Sequence, residues 1–183
     1  MKILIASDSH GVNDYLKAAI EKEKPDMLIH LGDSEIDQRE IAKWAGSPKT
    51  PCVFVLGNCD TTNRDPSIVS EQAVFSLNGH KIFCAHGHRQ QVNYGLLNLS
   101  LTAQELGCDI AMFGHTHVPY DSFGDAISDF DRYYQSGFGE SFGGPRILNP
   151  GSITLPRGGS SKGYMIMQME DDGRYSVSYV LCE

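Results

Sequence analysis

Lys2-Ile3-Leu4-Ile5-Ala6-Ser7-Asp8-Ser9-His10, directly after Met1, sets the pattern from which the fold class follows. The apolar run after Lys2 is too short for a helix and stops at polar residues, which predicts a buried strand. It also ends well before the length of a signal-peptide core. Two further runs repeat the pattern. Met27 to Leu31 stops at Gly32-Asp33, and Val53 to Leu56 stops at Gly57-Asn58. Between them lie helical stretches. One runs from Asn13 or Asp14 to about Lys24 with Leu16, Ala19 and Ile20 on one face, the other from Ile36 to Ala45. This βαβαβ rhythm predicts parallel strands with helical crossovers, an α/β fold.

Further along the rhythm changes. Ala73 to Leu77 and Lys81 to Ala85 flank Asn78-Gly79, a type I′ hairpin signal. A helix is expected over Asn93 to Leu106, then a strand from Asp109 to Phe113 that stops at Gly114-His115. Tyr164 to Met169 and Tyr175 to Leu181 flank Asp172-Gly173 as a second hairpin. The 183 residues fit one domain, 1–183, with an insertion at about 121–144. That insertion is rich in Gly, Ser and acids, yet holds Phe123, Phe130, Tyr133, Tyr134, Phe138 and Phe142. It reads as a self-packed excursion, or else as a lid or dimer contact that leaves a homo-oligomer open.

Composition sets bounds. The hydrophobic fraction is 40%, enough for a core, and no apolar run reaches the roughly 20 residues of a membrane span. Net charge is −8 with no Lys/Arg cluster, so an extended nucleic-acid groove is disfavoured, whereas a small phosphate ester is not. Cys52, Cys59, Cys84, Cys108 and Cys182 are odd in number and form no C-x-x-C, which suits a reducing cytoplasm.

The chemistry gathers at five predicted strand ends: Asp8-Ser9-His10, Gly32-Asp33, Gly57-Asn58-Cys59-Asp60, His86-Gly87-His88 and Gly114-His115-Thr116-His117. Loops at the carboxyl ends of such strands converge, and glycine beside a donor allows close backbone approach. Each piece alone has an ordinary explanation as a turn or a surface imidazole. Five ends all stopping in Asp, Asn or His point to metal binding. Mixed carboxylate, amide and imidazole donors suit Mn²⁺, with Fe, Zn or Ni also fitting. Asp8, His10, Asp33, Asn58, His86, His115 and His117 are too many for one four-coordinate ion and enough for two.

The order D-x-H, G-D, G-N-x-D, H-G-H, G-H-x-H resembles the calcineurin-like metallophosphoesterases, and within them the small bacterial and archaeal phosphodiesterase branch. Asn149-Pro150-Gly151-Ser152 and Pro156-Arg157-Gly158-Gly159 also resemble that branch. The resemblance implies a four-layer α-β-β-α sandwich, two mixed β-sheets flanked by helices. It implies that Asp8, His10 and His117 hold a first ion, that Asp33 bridges, and that Asn58, His86 and His115 complete a second. The expected reaction is phosphoester hydrolysis by a hydroxide bridging the two ions.

Many members of the family carry histidine where this chain has Cys59, a weak hydrogen-bond donor. Phosphodiesters with good leaving groups are therefore expected to be preferred over monoesters. Asn58, Cys59 and His88 are the candidate catalytic side chains, and Asn58, Cys59 and Arg157 the candidate substrate contacts. The competing readings are a protein-assembly scaffold, as in the retromer subunit of the same fold, and a nuclease.

Overall fold

The computed structural model describes residues 1–61, 65–123 and 144–182. Among the described residues, two sheets form from eleven strands. The first has the order β11-β10-β1-β2-β3-β4, with β1 Lys2–Ala6, β2 Met27–His30, β3 Cys52–Val55, β4 Val69–Ser70, β10 Gly163–Met169 and β11 Tyr175–Leu181. Strands β1 to β4 run parallel, as the βαβαβ rhythm requires, and β10 and β11 add an antiparallel hairpin at β1. The second sheet has the order β5-β6-β7-β9-β8, with β5 Gln72–Leu77, β6 His80–Ala85, β7 Ile110–Met112, β8 Pro119–Phe123 and β9 Arg146–Pro150. Here β6, β7 and β9 are parallel, while β5 and β8 are antiparallel to their neighbours. Both sheets are mixed.

Alternation along β1 shows how the layers form. Ile3 and Ile5 point between the sheets with Ile29, Leu31, Ile82, Cys84, Ile110, Met112, Leu148, Met165 and Met167. Leu4 and Ala6 face the other way, onto Leu16, Ala19 and Ile20 of α1 (Asp14–Glu23) and Ile41 and Ala45 of α2 (Gln38–Ala45). Side chains of period two thus feed two cores from one strand. On the far side, Phe83, Ala85, Ala111, Phe113 and Ile147 pack on Leu99 and Ala103 of α3 (Leu97–Glu105). The result is the four-layer α-β-β-α sandwich. Fully buried Ile, Leu and Phe side chains in these layers each contribute about 1.5–3 kcal/mol.

Several boundaries differ from the sequence reading, each for a local reason. Helix α2 starts at Gln38 rather than Ile36, because the Asp37 carboxylate accepts from Arg39 N–H (2.9 Å) as an N-cap. The helix expected from Asn93 divides into a 3₁₀ turn, Val92–Tyr94, and α3, with Gly95 at φ +139° between them. Strands β4, β8 and β9 are additions. The insertion expected at 121–144 begins inside β8, where Asp121 accepts two hydrogen bonds from Arg146 (2.9 Å each). Its aromatic stretch, with Phe130, Tyr133, Tyr134, Phe138 and Phe142, lies outside the described residues. Among the described residues no helix is long and apolar enough to cross a membrane.

Candidate metal centre

Parallel pairing points the carboxyl ends of β1, β2 and β3 one way, and those of β6, β7 and β9 meet them from the second sheet. Bonds between the strand-end loops close the assembly. Asp8 N–H donates to Gly32 O (3.0 Å), Gly114 N–H to His86 O (3.0 Å) and His115 N–H to Asp8 Oδ2 (3.0 Å). Asp8, His10, Asp33, His115 and His117 all adopt positive φ, between 45° and 66°, without being glycine. Five strained non-glycine residues on these loops mark a functional site. Two glycines are demanded by close approach. A Cβ on Gly57 would lie 1.9 Å from Asp33 Oδ1, and one on Gly114 would lie 2.0 Å from Ser7 Oγ and 2.8 Å from Asp8 Oδ2.

The imidazoles are oriented by their outer nitrogens. His86 Nδ1 donates to Leu31 O (2.7 Å), His117 Nδ1 to Leu155 O (2.6 Å) and His10 Nδ1 to Glu35 Oε1 (2.7 Å). The acceptors carry no proton, so each ring is fixed with Nδ1–H outward and its Nε2 lone pair inward. Inside, acceptors face acceptors. His10 Nε2 lies 3.2 Å from His117 Nε2, His117 Nε2 lies 3.2 Å from Asp8 Oδ1, and His86 Nε2 lies 3.3 Å from Asp33 Oδ2. Asp33 Oδ2 is also 3.9 Å from His10 Nε2. Asp8 Oδ1 and His86 Nε2 are buried without a hydrogen-bond partner among the described residues. Five converging acceptors need positive charge between them. One proton can bridge a pair of rings, but imidazoliums at 3.2 Å would repel. Divalent cations meet the requirement, and the donor set suits them. Among the described residues three triads hold their ligand atoms within 4.8 Å of one another: Asp8-His10-His117 and Asp8-Asp33-His86 in the cluster, and the more exposed His10-Glu35-Cys59 at its edge.

Charge follows geometry. Burial alone would raise the Asp8 and Asp33 carboxyls. Positive charge at the inner nitrogens, of His117 beside Asp8 and of His86 beside Asp33, overcomes it and holds both below the usual carboxylate range, and a bound cation would take that place. Burial likewise opposes charge on His86, but Asp33 and Asp8 raise it. Burial, then the Asp33 and Glu35 charges, push the Cys59 thiol up to about 11, so it stays protonated near neutrality. Under the cluster, burial brings His30 down to about 4, and its neutral Nδ1 accepts from Gly32 N–H (3.3 Å).

The other sequence candidates sit around this cluster. Asn58 is exposed and turns its amide to Cys59 Sγ (3.2 Å), while Cys59 N–H donates to Asp33 Oδ1 (2.7 Å). The His115 ring stands 5.1 Å from His86, with Nε2 engaged by Asn93 Nδ2 (3.0 Å). His88 lies 5.4 Å from His86 and 6.0 Å from His115, lowered by burial and then by His86 and Arg89. Arg157 is exposed, and its backbone N–H donates to His117 O (3.1 Å).

Sequence reasoning gave no role to the residues that hold the loops, although Asp60, Asn149 and Ser152 lie in its motifs. Buried Asp60 accepts at Oδ2 from Asp33 and Gly57 N–H (2.8 Å each), and at Oδ1 from Glu35 N–H (2.9 Å) and Ser34 Oγ (3.2 Å). Its only signal was a place in Gly57-Asn58-Cys59-Asp60. Asn149 donates to Gly114 O (3.0 Å), Ser152 Oγ to Asp8 O (2.7 Å) and Thr154 Oγ1 to Asp8 O (3.0 Å).

The profile of the Calcineurin-like phosphoesterase superfamily domain matches residues 1–172. The chain belongs to that superfamily. A probable metallophosphoesterase of Bacillus subtilis, YsnB, is 33% identical over 174 residues, covering 94% of this chain and 86% of that protein. The phosphodiesterase YfcE of Escherichia coli K12 is 25% identical over 183 residues, covering 90% of this chain and 85% of its own length. Among solved structures, a predicted phosphoesterase of Streptococcus pneumoniae TIGR4 superposes with a TM-score of 0.74 at 26% identity, over 98% of this chain and 88% of that one. Superfamily membership and the two triads that share Asp8 make this a phosphoesterase fold with side chains suited to divalent metal.

Proposed function

We propose that the protein hydrolyses phosphodiesters with the help of two divalent cations, Mn²⁺ being the favoured ion. The observation that carries this reading is the set of inward Nε2 lone pairs facing one another and two carboxylates at 3.2–3.3 Å. Asp8, His10 and His117 would hold one ion. Asn58, His86 and His115 would hold the other, with Asp33 between them. When bound, such ions supply Lewis-acid charge for a phosphoryl group and acidify water, so hydroxide is available near neutral pH.

The protein's own groups do the rest. The carbonyls of Leu31 and Leu155 keep the imidazole lone pairs aimed inward. Asn58, exposed at the rim, would orient a phosphoryl oxygen, and Arg157 would meet the phosphate from the cleft edge. Cys59 replaces a proton-donating histidine with a thiol held protonated but weakly donating, and His88 beside His86 is the candidate substitute. This supports diesters with good leaving groups over alkyl monoesters, in line with the phosphodiesterase designation of YfcE. Five unpaired thiols suit a reducing compartment.

Metal analysis should give about two ions per chain, reduced in Asp33→Ala. The Mn²⁺-loaded protein should cleave bis(p-nitrophenyl) phosphate much faster than an alkyl phosphate monoester, and His117→Ala should abolish both activities. One ion per chain unaffected by Asp33→Ala, or equal rates on both esters, would overturn the proposal. Cys59→His should raise the monoester rate.

A further inference from the structure

Glu35 follows Gly32-Asp33-Ser34 on the exposed side of the donor cluster, and nothing in the motif pattern assigns it a task. Its backbone sits at φ +56°, a conformation that favours glycine. Asp60 Oδ1 fixes that conformation by accepting from Glu35 N–H (2.9 Å). The consequence is directional. The Glu35 carboxylate is brought over the rim to accept the Nδ1 proton of His10 at 2.7 Å.

His86 and His117 have their outer nitrogens held by backbone carbonyls, which the fold supplies automatically. His10 has no such carbonyl. Glu35 is the group that occupies the equivalent place, and it adds a negative charge that a carbonyl lacks. We propose that Glu35 is a positioning residue for metal binding. Its carboxylate locks the tautomer and ring orientation of His10 so that Nε2 meets the cluster formed with His117, Asp8 and Asp33. The inference rests on the reading of His10 as a metal ligand. Carboxylates behind metal-bound imidazoles raise ligand basicity and restrict the ring, and their loss weakens metal affinity about 10–100-fold. Because Asp60 binds the Glu35 backbone, replacing the side chain leaves that anchor intact.

The test is calorimetric titration of the full-length, chelator-stripped chain with Mn²⁺, comparing wild type, Glu35→Ala, Glu35→Gln and His10→Ala. Glu35→Ala should weaken Mn²⁺ binding about 10–100-fold with the urea midpoint of the metal-free protein unchanged. Glu35→Gln, whose amide oxygen still accepts from Nδ1, should recover most of the affinity. Wild-type affinity in Glu35→Ala, or no recovery in Glu35→Gln, overturns the proposal. His10→Ala separates the two ideas. If it binds Mn²⁺ like wild type, the ligand reading of His10 falls and Glu35 with it. If it is weak while Glu35→Ala is not, only the role of Glu35 falls.

Discussion

Asp60→Asn changes one oxygen to an amide nitrogen at a site only 1% exposed, and the structure sets what that change should cost. The carboxylate accepts four hydrogen bonds, three from the backbone N–H groups of Asp33, Gly57 and Glu35 and one from the Ser34 hydroxyl. The amide keeps one acceptor oxygen and turns two N–H bonds toward donors. In its better orientation the NH₂ group faces Ser34, whose hydroxyl can rotate to accept, and Glu35 N–H, which cannot. At least one buried N–H is therefore orphaned, and the remaining bonds lose their charge assistance. Hydrogen bonds to charged groups contribute about 1.5–3 kcal/mol each, so losing the Glu35 bond and removing the charge from the other three puts the expected destabilisation at about 3 kcal/mol. With a urea dependence of about 2 kcal/mol per M, the midpoint should fall by about 1.5 M. The measurement is urea unfolding followed by far-UV circular dichroism in excess EDTA, so that bound metal contributes nothing to stability. Asp172→Asn, which alters an exposed carboxylate bonded to Arg174, is the control and should shift stability by no more than about 0.5 kcal/mol. A midpoint for Asp60→Asn within about 0.3 M of wild type would refute the reasoning, because a shift that small is below what one orphaned buried N–H costs.

Gly114→Ala places a Cβ 2.0 Å from Ser7 Oγ and 2.8 Å from Asp8 Oδ2, so the β7 loop or the Asp8 carboxylate must move. It should cost about 1–3 kcal/mol and weaken Mn²⁺ binding. Calorimetry showing unchanged affinity would contradict the close approach. Far from the metal centre, His80 has both ring nitrogens against acceptors, Asp109 Oδ2 at Nδ1 and Gly173 O (2.7 Å) at Nε2, so the ring is held as an imidazolium. The Asp109 carboxylate raises its pKa above the ordinary value, so its contribution is fully present below the unfolded pKa of about 6.5 and is lost as pH climbs through the folded value. The difference in urea midpoint between wild type and His80→Gln should accordingly be larger at acid pH and shrink toward pH 9; a constant difference would count against the imidazolium.

The first strand, the crossovers and the five donor-bearing strand ends were legible in the sequence because their signals are local. A short apolar run, a glycine and a polar stop lie within ten residues of one another, as in Met27 to Asp33. Asn78-Gly79 and Asp172-Gly173 announced their hairpins for the same reason, and both pairs of strands form as expected. The two-sheet packing followed only from the family resemblance, since period-two alternation says which residues share a face and not what that face meets. Strands β4, β8 and β9 carry too few residues, or too irregular a pattern, to stand out before a neighbour pairs with them.

The structure alone decided how the donors are aimed. Asp60 reaches Asp33 across 27 residues, Glu35 reaches His10 across 25, and Asn149 reaches Gly114 across 35. Residue types at the strand ends determine that donors suited to a metal gather here. Which lone pairs point inward depends on hydrogen bonds that exist only after the two sheets have brought those ends together, and no local pattern encodes a bond between loops that are neighbours only in the folded chain.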